Sequence, residues 1–170
     1  MTNRRTIGIV TVGCLLVLLG LHGRPWIDAA VAQEASPVAG RTETIVVVEH
    51  NDTMTDILQD EAGPTPGALR VWGPNPLFDE ANETDTGATT QGTCISIDDR
   101  FTCLLNETIL FPDGSTLEIQ GIQAEGSETS KRTIVAGSGK YIGATGTIDV
   151  EPTGDLKLWK KTISIVWLEG

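Results

Sequence analysis

Glu107 has the most unusual neighbours of any acid in this sequence, because the residues around it alternate as Leu105, Glu107, Ile109 and Phe111. On an extended strand that spacing puts one carboxyl on a face shared with an otherwise apolar row. Enclosed in such a row, it would have its pKa raised by desolvation and could give or take a proton. The competing reading is a strand that shows this face to solvent, or a bulge that turns Glu107 outward. Glu49 and Asn51 stand two apart in the run Val48-Glu49-His50-Asn51 and also share a face if the run is extended. The expectation is that Glu49, Asn51 and Glu107 point into one cavity, walled in part by Phe101, Leu105, Ile109 and Phe111.

Other constellations point to less. His50 is the only histidine after residue 32, which leaves a Ser-His-Asp triad without support. Neither Asp98-Asp99 nor the Asp52, Asp56, Asp60 series has the glycine and terminal glutamate of a calcium loop, so no metal is expected. Gly137, Gly139, Gly143 and Gly146 suggest a phosphate-cradling loop at first sight. Their spacing misses the dinucleotide fingerprint, however, and Thr147, Ile148, Asp149 and Val150 alternate as a strand where a helix should open. Those glycines suit a tight crossing between strands, and no cofactor is expected.

Residues 1–32 read as a signal peptide: Arg4 and Arg5, an apolar run over residues 7–21, then small residues ending Ala30-Val31-Ala32. The run is shorter than the roughly 20 residues a spanning helix needs, so no stable membrane insertion is expected after processing. The paired arginines leave Sec and twin-arginine export both open. The expected compartment is extracytoplasmic, whether secreted or periplasmic. Without residues 1–32 the chain keeps 9 basic and 22 acidic side chains, a formal charge of 9 − 22 = −13. Such a surface repels nucleic acid and anionic lipid.

Two cysteines remain in that mature chain, Cys94 and Cys103. An even count in an exported protein suggests one disulfide, and a hairpin centred on Asp98-Asp99 would set 94 opposite 103 and 96 opposite 101. A zinc or redox pair does not fit the spacing.

After a flexible lead at 33–43, one domain is expected over 44–170. Its predicted strands are 44–49, 68–72, 93–97, 100–111, 115–124, 131–135, 147–151 and 156–168, with a helical turn at 55–59 and a long loop over 79–90. Eight strands linked mostly by hairpin-length turns predict an all-β fold, an eight-stranded antiparallel, calycin-like barrel, whose interior is filled by side chains or holds one small ligand. The last strand changes parity between Leu156 and Leu158 on one side and Ile163, Ile165 and Trp167 on the other. A bulge near Lys160 and Lys161 is expected to reconcile them.

The runs Val71-Trp-Gly-Pro-Asn-Pro-Leu-Phe-Asp79, Gly92-Thr-Cys94, Phe111-Pro-Asp-Gly114, Ile119-Gln-Gly121 and Ile134-Val-Ala-Gly-Ser-Gly-Lys-Tyr-Ile-Gly-Ala-Thr-Gly146 occur in this order. Together they resemble the dirigent and allene oxide cyclase barrel superfamily over residues 44–168. The resemblance implies a barrel with an apolar cavity, often a homotrimer, that binds a small hydrophobic molecule and steers its cyclisation or coupling. It also implies that Glu49 and Asn51 hold substrate and a water, and it places Cys94 where the cyclases carry a cysteine. Two departures bear on activity: Gln123 replaces the cyclase aromatic, and Thr145 stands where plant dirigent proteins commonly carry arginine. A carrier or purely structural barrel is the alternative.

Overall fold

The computed structural model describes residues 40–57, 65–100, 102–124, 128–153 and 156–167. The expected signal peptide, residues 33–39 of the expected lead and Phe101 lie outside these residues, while residues 41–43 of that lead are the start of the first strand. Nine strands follow in order: β1 Arg41–His50, β2 Met54–Ile57, β3 Leu69–Phe78, β4 Asp85–Ser96, β5 Cys103–Leu110, β6 Thr116–Gln123, β7 Ser130–Gly137, β8 Ala144–Thr153 and β9 Leu158–Trp167. All pairings are antiparallel, in the order β1-β9-β8-β7-β6-β5-β4-β3-β2. The sheet closes on itself where Val48 and Glu49 of β1 pair with Phe78 and Leu77 of β3. Eight strands thus form a closed barrel, and the four-residue β2 extends the wall alongside β3.

Alternation fixes which side chains face inward. From β4 to β9 the inward rows run through Thr90 and Cys94, Leu105 and Ile109, Leu117 and Ile119, Ile134, Ile148 and Val150, and Ile163 and Ile165, all buried. One end of the barrel is plugged. A single 3₁₀ turn, Gly139–Tyr141, drops Tyr141 into that end, where its ring lies 4.7 Å from Phe111 and 6.1 Å from Trp167, centroid to centroid. The glycines of this segment serve close approach: a Cβ at Gly137 would meet the Tyr141 carbonyl oxygen at 2.4 Å, and one at Gly146 the Ser164 carbonyl oxygen at 2.0 Å.

Four local expectations need correction. The predicted helical turn at 55–59 is instead strand β2 at its start, because Met54–Ile57 finds an open edge on β3. The loop expected from 79 to 90 ends at Asp85, where β4 begins. β3 continues to Phe78 despite Pro74 and Pro76, since its outer edge passes there from β2 to β1 and a register shift between Trp72 and Asn75 absorbs the interruption. The bulge expected at Lys160 and Lys161 does not exist: β9 pairs in unbroken register with both β1 and β8, which puts Trp159 and Lys161 on the inward face with Ile163 and Ile165.

Cys94 and Cys103 form a disulfide with Cα atoms 5.5 Å apart, but the hairpin register differs by two residues from the expected one. Cys94 faces Leu105 and Ser96 faces Cys103, so the bridge joins diagonal neighbours. An even slip leaves every side chain on its original face, which is why the inward row through Glu107 survives it.

Candidate ligand-binding site

At the end opposite the aromatic plug, the interior stops being apolar. Glu49 from β1, Asn75 from β3, Thr90 from β4, Glu107 from β5, Arg132 from β7 and Lys161 from β9 are all buried, supplied by six different strands. They form one string. Lys161 Nζ lies 2.8 Å from Glu49 Oε2 and also donates to Glu107 Oε1, which accepts from Thr90 Oγ1 at 2.6 Å. Arg132 donates through Nη1 to Glu107 Oε2 and through Nη2 to Gln123 Oε1. At the other end of the string, Asn75 Nδ2 donates to Glu49 Oε1 at 2.8 Å and to Asn51 Oδ1 at 3.2 Å. Its own Oδ1 accepts from the Thr53 backbone N–H at 2.9 Å and hydroxyl at 2.8 Å, so Asn75 is oriented from both sides.

The two carboxylates and two cations leave this layer formally neutral. Burial pushes the Glu107 carboxyl up, but the Lys161 ammonium and Arg132 guanidinium beside it outweigh that and hold its pKa down at about 2. This corrects the expectation of a raised pKa: the sequence row shows Glu107 among apolar neighbours on its own strand, whereas its partners arrive from β7 and β9. Glu107 is an ionised anchor near neutral pH, and a poor proton donor.

The string borders a cavity of about 60 Å³. Glu49, Asn51, Glu107, Gln123 and Arg132 line it, together with Leu105 and the disulfide. Toward solvent the lining continues through Met54, Arg70, Trp72 and Trp159, with Arg70 held by Asp56 at 2.7 Å. The enclosed part has room for a few waters or the end of a ligand. Trp72 and Trp159, both half-buried, supply the aromatic part of the lining.

The structure therefore brings Glu49, Asn51 and Glu107 to one cavity. Of the expected wall, Leu105 lines it, Ile109 is buried deeper in the core, and Phe111 sits in the plug at the opposite end. His50 is on the outer face of the wall, stacked on Phe78 at 4.0 Å with its Nε2 2.6 Å from Asn82 Oδ1. Among the described residues no group of three or more His, Cys, Asp or Glu could hold a metal ion. Lys161, Arg132, Asn75 and Thr90 were not among the expected site residues, and Gln123, noted as a departure from the cyclases, joins the string through Arg132. The signal for Lys161 was present, since it shares parity with Ile163, Ile165 and Trp167.

A closed barrel of eight antiparallel strands, plugged at one end and carrying its polar residues inside the other, matches solved structures along most of the chain. A pterocarpan synthase dirigent protein superposes with a TM-score of 0.65 at 20% identity, covering 83% of this chain and 100% of the other. The fold is the dirigent-like barrel. The Diels Alderase AbmU from Streptomyces koyangensis gives a TM-score of 0.62 at 21% identity, covering 78% of this chain and 72% of that one. A pyocyanin demethylase gives 0.62 at 15% identity, covering 72% and 99%. No protein-family model matches the chain, and no curated protein matches it in sequence. These proteins share the barrel fold with this chain, while its charged string is read from its own side chains.

Proposed function

We propose that this protein is an exported barrel that takes one end of a small, largely apolar molecule into its interior and steers the cyclisation or coupling of that molecule by fixing its conformation. The observation that carries the reading is the buried string from Asn51 to Gln123 on the wall of a cavity open at one end. Four charges inside a small barrel stabilise it less than apolar side chains of the same volume would, so their presence favours a role in recognition. A preorganised layer of charges and amides can orient a ligand and stabilise charge that develops during ring closure without itself exchanging protons. The names of the structural neighbours, a pterocarpan synthase and a Diels Alderase, support small-molecule steering in barrels of this shape.

The second reading is a non-catalytic carrier. What favours it is that both carboxylates are already engaged by Lys161 and Arg132, leaving neither as an evident base. Mass spectrometry of small molecules that co-purify with the native protein tests the common core of both readings. A retained ligand that is released on unfolding is the expected result. Recovery of an unchanged ligand after incubation favours the carrier, and recovery of a cyclised isomer favours steering. A protein that retains nothing and binds no apolar probe would overturn both.

A further inference from the structure

Within the charged string, one buried nitrogen has no hydrogen-bond partner among the described residues. Arg132 spends Nη1 on Glu107 and Nη2 on Gln123, whereas its Nε–H has no acceptor among the described residues although the side chain is only 5% exposed. Buried polar groups are almost always satisfied, and one left bare carries its desolvation cost uncompensated. Arg132 also lines the cavity. The Tyr141 hydroxyl, the other such atom among the described residues, lies in the plug at the opposite end, where the Lys140 ammonium stands 4.6 Å from its ring centroid.

The charge balance then decides what kind of acceptor suits this donor. Glu49 and Glu107 already match Lys161 and Arg132 one for one. A carboxylate or phenolate brought into the same layer would be a third buried anion facing two cations, and an uncompensated buried charge is strongly unfavourable. A neutral oxygen with a lone pair supplies the missing hydrogen bond without upsetting the balance.

Resting on the ligand-holding reading above, we propose that Arg132 is the recognition residue of the cavity and that its Nε–H selects a neutral, carbonyl-bearing ligand over an anion or a hydrocarbon. Gln123 and Glu107 position the guanidinium by engaging its two outer nitrogens, which leaves Nε as its one nitrogen without a partner among the described residues.

Three probes of nearly the same shape separate the alternatives: acetophenone, its isostere α-methylstyrene, and benzoate. Binding is followed through the tryptophan fluorescence of the native protein and through the ¹⁵N-resolved Nε–H resonance of Arg132. Acetophenone is expected to move that resonance and α-methylstyrene to leave it in place. The ratio of acetophenone to α-methylstyrene affinity should fall about tenfold in Arg132→Lys, which keeps a cation for Glu107 but has no Nε–H. Should Arg132→Lys not fold, the resonance in the wild-type protein decides alone. If both neutral probes bind and the resonance is indifferent to the carbonyl, the recognition role is overturned while the cavity reading stands. Benzoate binding more tightly than acetophenone would overturn the preference for a neutral ligand. If none of the three binds, the ligand-holding reading falls, and this inference with it.

Discussion

At Lys161 one ammonium is shared by two buried carboxylates, and removing it should be felt more than most single changes. Lys161→Met leaves Glu49 without its cation and Glu107 with Arg132 alone. The expected loss is about 3–5 kcal/mol, measured by urea unfolding. Acid should act through Glu107. Its folded pKa of about 2 lies below the ordinary 4.5, so folding favours the ionised form. That contribution is present in full above about 4.5 and is lost as pH falls through about 2. Thermal unfolding at pH values of about 6, 4 and 3 should show a falling midpoint that is shallower in Glu107→Gln. An identical slope in the variant would place the acid sensitivity elsewhere. At this scale the sequence showed both carboxylates of the layer and neither of its cations. Glu107 stood out because its neighbours along the strand are apolar, and Glu49 with Asn51 because they share a face. Lys161 and Arg132 did not, because charged residues in alternating strands are assigned to solvent by default and only cross-strand pairing reveals their burial.

The strands themselves were easier to read, since each inward row from β5 to β9 alternates over most of its length. Errors gathered where pairing partners change: at β2, at the proline-bearing half of β3, and at the start of β4. The hairpin register missed by two, because the turn chemistry of Asp98-Asp99 fits more than one loop length; Asp98 Oδ1 in fact accepts from the backbone N–H of Arg100 and Thr102 in a longer loop. The disulfide holds that hairpin. Replacing Cys94 and Cys103 together by serine should cost about 2–3 kcal/mol, as expected for closing a short loop, and unfolding curves with and without reductant should then coincide in the variant. Gly146→Ala should cost about 1–3 kcal/mol or more in the same measurement, since Gly146 has φ +147° and a Cβ there would press into the neighbouring strand at Ser164.

For the whole molecule, the sequence pattern carried the barrel but not its contents, because closure follows from strand count and alternation whereas the interior depends on which rungs meet. Export stays a proposal at this scale, and the mature protein is expected to begin near Gln33. N-terminal sequencing of material recovered outside the cytoplasm checks it, and an intact residue 1–21 segment in a membrane fraction would sink it. The ring of Tyr141, packed with Phe111 and Trp167, has a kinetic meaning for any such vessel. A tube closed at one end is a cul-de-sac: whatever enters past Trp72 and Trp159 has to back out the same way, so a product and the next substrate can never pass each other. Turnover would then be limited by departure, and a product that fitted as well as its precursor would behave as a competitive blocker. A barrel of this form steers many molecules only if ring closure makes the product fit its dead end less well.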